Sequence, residues 1–219
     1  MVKPSRITRL GDGIHIEGYP NAVGVRRIND RDAQQLQALA LHRSDLNYCR
    51  EALTALAGLD RSAQPLFAQA LWLSAIARYF KCFGNSRART QLSRKKVLKD
   101  HPGADKVFAC FRNLRDKHLI HDEDPYSQSF CGVVLNARDA ESPVADIISL
   151  TMNPGPVDDD SIGSFSHIVG LALAWVEATH DELHTRLRKM YEDWTYEDLL
   201  ALPMISYTVP TSDEVGVTR

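Results

Sequence analysis

Residues 108–124 read Phe-Ala-Cys-Phe-Arg-Asn-Leu-Arg-Asp-Lys-His-Leu-Ile-His-Asp-Glu-Asp. On a helical wheel of about 100° per residue, Val107, Cys110, Phe111 and Leu114 gather on one side as a buried stripe. His118 falls near the middle of that stripe, Arg115 and His121 fall on opposite shoulders, and Arg112 points further outward. A helix that buries its middle and carries an arginine and a histidine at its margins can present both to a cleft. Upstream, His101-Pro102-Gly103 resets the chain. Downstream, Asp124-Pro125 closes the helix, because the residue before proline disfavours the helical region. The spacing predicts a helix over 104–121.

Helical periods also flank this stretch. Asp30 or Asp32 caps a helix over 32–59, with Leu36, Leu39, Ala40, Leu46, Leu53, Leu56 and Leu59 in rough period and Gly58 at its end. Pro65 opens a helix over 65–82 at a favoured early position. Leu66, Ala70, Leu73, Ala77 and Phe80 line one side of it, widened by Trp72, Ile76 and Tyr79. A last helix covers 162–191, anchored by Ile168, Leu171, Ala172, Trp175, Leu183 and Leu187. The predicted core holds Phe111, Leu114, Trp72, Leu73, Ile76, Leu171 and Trp175. Between the last two helices, Phe130–Leu135 and Val144–Thr151 are strand-like runs joined by Asn136–Ser142, read as a hairpin. Residues 6–28 read as β, turning at Gly11-Asp12-Gly13, with Ala22–Ile28 as a second strand. The expected fold is mainly α: a four-helix bundle over 30–202 with an N-terminal β-ribbon in 1–29, a hairpin inserted at about 130–151, and a loose tail over 203–219.

Composition bounds the chemistry. The chain has 219 residues, 44% hydrophobic and 25% charged, with a formal net charge of −2. That balance suits one domain with a real core and gives no global pull toward nucleic acid, so any polyanion site is a local patch. Arg87, Arg89, Arg94, Lys95, Lys96 and Lys99 form such a run with no acid among them. It reads either as a solvated loop or short exposed helix, or as a segment that tracks phosphates, with Arg87, Arg89, Arg94, Lys95 and Lys96 contacting RNA. No aromatic is interleaved, so base stacking is not indicated. Cys49, Cys82, Cys110 and Cys131 form no CxxC pair, and three of them sit among apolar neighbours, as buried free thiols do. Neither a leader-like run nor 18 consecutive apolar residues occurs, so a soluble, cytoplasmic chain without a membrane segment is expected.

Several motifs fail on inspection. His180-Asp-Glu-Leu-His184 has the spacing of the helical H-E-x-x-H zinc motif, but Asp181 holds the base position and no third ligand follows; a solvated helix face is the better reading. His118, His121, Asp122, Glu123 and Asp124 match no specific metal spacing. There is no P-loop, no dinucleotide fingerprint and no G-x-S-x-G. No metal and no cofactor is expected.

What remains is an arginine–histidine spacing that occurs twice, overlapping. Arg115-Asp116 is followed at the same interval by His121 as Arg112-Asn113 is by His118. This stretch resembles the RNase motif of the HEPN superfamily, helical-bundle domains common among toxin and abortive-infection proteins. Those proteins use Arg-x4-6-His, with Asn, Asp or His often after the arginine, at the end of the third bundle helix. The resemblance implies a metal-independent endoribonuclease of phage defence or a toxin–antitoxin pair. Its alternative is a non-catalytic module that binds nucleotide, RNA or a protein partner. It also implies a homodimer whose motifs face one cleft, RNA as substrate, and an antitoxin protein as a further partner. The wheel favours Arg115, Asp116 and His121 as the catalytic set, with Arg112, Asn113 and His118 as the second register. Histidine suits proton transfer near neutrality, and arginine offers phosphate oxygens a fixed fork of donors.

Overall fold

A computed structural model describes residues 7–10, 13–87, 89–120, 128–152, 157–205 and 211–214. The chain is mainly helical. Two short strands, β1 (Ile7–Leu10) and β2 (Gly13–Ile16), pair antiparallel ahead of the long helices α1 (Arg31–Ala57) and α2 (Pro65–Lys81). A four-residue turn of helix, α3 (Arg94–Val97), precedes α4 (Ala104–Asn113), which continues as a π-helix over Leu114–Ile120. The antiparallel hairpin β3 (Gln128–Leu135) and β4 (Val144–Met152) leads into α5 (Asp159–Glu192) and α6 (Tyr196–Ala201).

The start signals act through identifiable bonds. Asp30 caps α1, its carboxylate accepting from the Ala33 amide at 2.9 Å, and the Tyr191 hydroxyl donates to the same carboxylate at 2.8 Å, tying the start of α1 to the end of α5. Asp158 caps α5 through the Ser161 amide, so α5 begins three residues before its first buried side chain, Ile162. By length and composition α5 could cross a bilayer, with mean hydropathy reaching 1.2 over one window. Here it packs along α1, burying Phe165, Ile168, Val169, Ala172, Leu173 and Val176.

The face that α2 buries differs from the one expected. Ala68, Trp72, Ala75, Ile76, Tyr79 and Phe80 point inward, whereas Leu66, Ala70 and Ala77 are exposed and Leu73 is half-buried. Six aromatic or branched side chains within Trp72–Phe83 make nearly the whole helix apolar, and the wheel ranks such faces poorly. Packing decides instead: Trp72 and Tyr79 both meet the Phe165 ring edge-on, at 5.4 and 5.2 Å. Of the predicted core, Phe111, Trp72 and Ile76 are buried, while Leu114, Leu73, Leu171 and Trp175 lie at its rim. Ile76→Ala is therefore expected to cost about 2–5 kcal/mol, and Leu73→Ala clearly less, in chemical denaturation of the two variants. Equal losses would contradict the assigned face.

On α1, polar side chains interrupt the apolar stripe: His42 and Asp45 are buried between Leu39 and Leu46. At the N-terminus, residues 22–28 do not join the ribbon. They run beside the start of the expected tail, with the Arg27 amide donating to Pro203 at 2.7 Å and the Ile205 amide to Val25 at 3.2 Å. Of the four cysteines, Cys49 and Cys82 are buried, but Cys110 and Cys131 are exposed, contrary to the expected burial of Cys110 among its apolar neighbours.

Candidate ribonuclease motif and basic segment

The motif begins on a helix held by aromatic rings. Gly103 takes φ 87°, a left-handed conformation that glycine adopts without strain, and lets the chain turn into α4. Phe108 then packs on Phe80 at 5.1 Å and on Phe83 at 5.0 Å, and Phe111 packs on Phe165 at 4.8 Å and Trp72 at 5.6 Å. The buried stripe is Ala104, Phe108 and Phe111, with Val107 and Leu114 half-buried. It is rotated from the predicted one, because rings reach further into the α2–α5 seam than the Cys110 thiol can.

Past Asn113 the hydrogen bonding widens into the π-helix, which packs on α2. A π turn spans i to i+5, so each residue advances by less than the wheel step used above. A single wheel therefore cannot carry side-chain directions past Leu114. The assignment of His118 to the packed stripe and His121 to a cleft therefore loses its geometric basis. The His118 side chain and the whole of His121 lie outside the described residues.

Arg115, Asp116 and Arg112 are brought together. Arg115 donates through Nε to Asp116 Oδ1 at 2.6 Å and also through Nη2, and its guanidinium carbon stands 5.3 Å from the Phe80 ring centroid. The Arg115 side chain is 26% exposed, so its stem continues the buried stripe while its head reaches solvent. Arg112, 58% exposed, approaches the other oxygen of Asp116 at 3.5 Å. One carboxylate is thus shared by the arginines of both registers, and Asn113 beside them is exposed. Held at one edge by Asp116 and on one face by Phe80, the Arg115 fork keeps a fixed plane, as two-point recognition of a phosphate requires.

The basic segment divides. Arg89 is not a surface cation: its side chain is 7% exposed, and it donates to Asp45 Oδ2 at 2.8 Å and to the Lys81 carbonyl at 3.1 Å. Arg78 and Lys81 approach the same carboxylate at 3.4 and 3.5 Å, so Asp45 gathers three cations at the junction of α1, α2 and the segment. Arg94 pairs with Asp105 at 3.1 Å and lies 5.6 Å from the Phe108 ring centroid. Arg87, Lys95 and Lys96 are exposed, as is Arg94 despite its pairing with Asp105, so four of the five predicted RNA contacts face solvent. Neutralising Lys95 and Lys96 together is expected to lower the salt slope of RNA binding by about 2, roughly one for each phosphate that a lysine had neutralised. An unchanged slope in binding titrations across salt concentrations would show that the lysines are only a solvated surface.

His42 closes the same junction. Its Nε2 meets the Thr90 carbonyl oxygen at 2.8 Å, so the neutral ring donates there, while Nδ1 is buried and unpartnered among the described residues. Burial lowers its pKa from 6.5, with Arg89 and Lys81 adding to the shift and Thr90 and Asp45 opposing it. The unfolded chain therefore takes up this proton first, and stability falls as pH drops through 6.5 toward the lower folded value. Denaturation midpoints measured from pH ~7 to ~5 are expected to fall less steeply in His42→Asn than in the parent.

The remaining titratable groups offer less. Burial pushes the Cys49 and Cys82 thiols up to about 12, which keeps them protonated and unreactive. His180, expected on a solvated face, is buried, its ring stacked over His184 at 6.4 Å and 9°. Among the described residues no three His, Cys, Asp or Glu side chains converge as a metal site. The Asp45–His42 junction escaped the sequence reading, although two polar residues inside the leucine stripe of α1 were its signal. In comparisons with known proteins, no family model matches the chain, and no curated protein and no solved structure matches it.

Proposed function

We propose that this chain is a metal-independent endoribonuclease of HEPN type, acting in the cytoplasm in phage defence or as the toxin of a toxin–antitoxin pair. In this reading α1, α2, α4 with its π-helical extension, and α5 are the four helices of the HEPN bundle. The single observation that carries it is the placement of the motif: Arg112 to Ile120 lie at the end of the third long helix, where the helix widens into a π turn. Such turns concentrate at functional sites. RNA is the substrate, Arg87, Lys95 and Lys96 guide it, and a homodimer supplies two motifs to one cleft, with an antitoxin protein as a further partner.

The chemistry follows from the residue types. A histidine takes the proton from the RNA 2′-hydroxyl, and the freed oxygen attacks the adjacent phosphorus. The bond to the 5′-oxygen breaks as a second histidine, supplied by the other copy, protonates the leaving group. Arg115 holds the phosphate oxygens while charge accumulates on them. The products are a 2′,3′-cyclic phosphate and a 5′-hydroxyl.

One observation favours the second reading, a non-catalytic RNA- or partner-binding module: Asp116 already neutralises the fork of Arg115. Purified protein incubated with mixed RNA in EDTA separates the two. Cleavage that survives EDTA, leaves cyclic phosphate ends and disappears in Arg115→Ala/His121→Ala supports the enzyme. Binding without cleavage supports the module.

A further inference from the structure

The formal net charge of −2 conceals an uneven distribution. Between Asp60 and Asp100 the chain carries nine lysines and arginines and no acid, so the remainder of the sequence is strongly acidic. This stretch covers α2, α3 and the segment joining them, and it adds Arg61, Arg78 and Lys81 to the basic run. Among the described residues three carboxylates reach into it. Asp159 pairs with Arg61, Asp105 pairs with Arg94, and Asp45 meets Arg78, Lys81 and Arg89.

At Asp45 the charges do not balance. Arg89 alone satisfies the buried carboxylate: the two side chains are 7% and 6% exposed and stand 2.8 Å apart. Arg78 and Lys81 approach it only at 3.4 and 3.5 Å, with side chains 45% and 63% exposed. Neither pairs with another carboxylate among the described residues, so three cations share one negative charge. Cations held this close repel one another, and an anion laid across them relieves the repulsion. The local geometry suits such an anion. The Arg78 guanidinium carbon lies 4.0 Å from the Tyr48 ring centroid, and the Tyr48 hydroxyl donates to Ser74 at 3.2 Å, so the fork has a fixed backing. Only Nη1 of that fork turns to Asp45. Carbonyls at the end of α2 would repel an anion, but two are occupied: that of Lys81 accepts from Arg89 at 3.1 Å, and that of Cys82 from the Leu92 amide at 2.9 Å.

We propose that Arg78 and Lys81, above the buried Asp45–Arg89 pair, form a phosphate seat that holds the RNA backbone at a distance from the cleavage motif. Arg78 lies on the side of α2 that faces α1, whereas Arg115 packs on Phe80, on the side that faces α4. Arg89, reaching from the basic run to the Lys81 carbonyl, joins the seat to exposed Arg87, Lys95 and Lys96. A fork and an ammonium match phosphate oxygens and not base edges, so the seat takes RNA without regard to sequence. The choice of RNA rests on the ribonuclease reading, while the seat rests on the charges around Asp45.

The test uses the full chain and a fluorescent oligouridine of about 20 nucleotides, longer than a typical single-strand site. Every 2′-oxygen is methylated, so the strand binds but has no nucleophile with which to be cut. Failure of binding at the seat and failure of cleavage are thus separate results. In anisotropy titrations between about 50 and 200 mM salt, Arg78→Gln/Lys81→Gln is expected to bind about 10-fold more weakly at the lower salt. Its salt slope is expected to fall by about 1–2, as two phosphates keep their counterions. Arg78→Lys keeps the charge and is expected to keep the slope. Arg186→Gln/Arg188→Gln removes the same charge from α5, where Arg186 pairs with Asp32 near the start of α1, and is expected to change neither quantity. A purely structural role would lower the melting temperature of Arg78→Gln/Lys81→Gln and leave the slope alone. An unchanged slope in that variant, or an equal fall in the α5 control, overturns the proposal. So does polyglutamate binding that the variant loses while oligouridine binding stays intact, which would assign the seat to an acidic protein.

Discussion

RNA cleavage by Arg115→Ala is expected to fall about 100-fold or more below the parent, the usual loss when one donor to the developing phosphate charge is removed. Arg115→Lys is expected to fall nearly as far. An ammonium is a point charge and cannot keep both the Nε and Nη2 bonds to Asp116 that fix the plane of the fork. The histidines separate the two registers. If Arg115 works with His121, His121→Ala cuts no RNA and melts like the parent, while His118→Ala retains cleavage. The reverse result transfers the site to Arg112 and His118. Loss in both variants with the fold intact points to one histidine as acid and the other as base within a single motif. Cleavage unchanged by Arg115→Ala and by Arg112→Ala alike removes the proposed function altogether.

Asp45→Ala is expected to destabilise the chain by about 3–5 kcal/mol, the cost of leaving a buried charge without its partner. The charge left behind is Arg89, which is as deeply buried as Asp45 itself and keeps the Lys81 carbonyl, a neutral acceptor, in place of a counter-charge. Arg78 and Lys81 contribute less to this loss, because their heads reach water. Asp45→Leu combined with Arg89→Met is expected to recover most of the loss, since neither side then holds an unpaired ion. Chemical denaturation of the three variants checks this; a double variant no better than Asp45→Ala would show that the junction is held by something other than the pair.

The helices were legible because apolar period and punctuation agree: Asp30, Pro65, Pro102-Gly103 and Asp158 stand where helices begin. The hairpin was legible as two strand-like runs around a polar connection, but its register, with the shift between Val134 and Leu135, was not. The orientation of α2 was not legible, because a helix apolar on most sides leaves the choice of face to its neighbours, here the Phe165 ring. Nor was the burial of Arg89. Within a run of like charges nothing local marks the one cation whose partner lies 44 residues upstream. The motif shows both sides: residue types and helix order are written in the sequence, but the wheel that assigned the histidines assumes a constant turn, and the turn changes at Leu114.

That change of turn bears on how the motif tolerates insertions and deletions. A π segment accommodates extra chain within a helix whose start is already fixed, by Phe108 and Phe111. Removing one residue from Lys117 to Ile120 would tighten the segment toward an ordinary helix with α4 left in place. The fold has slack there, and the spacing of arginine and histidine does not. Of all places in the chain, this is where a change of length, unlike a change of side chain, would separate holding the structure together from using it.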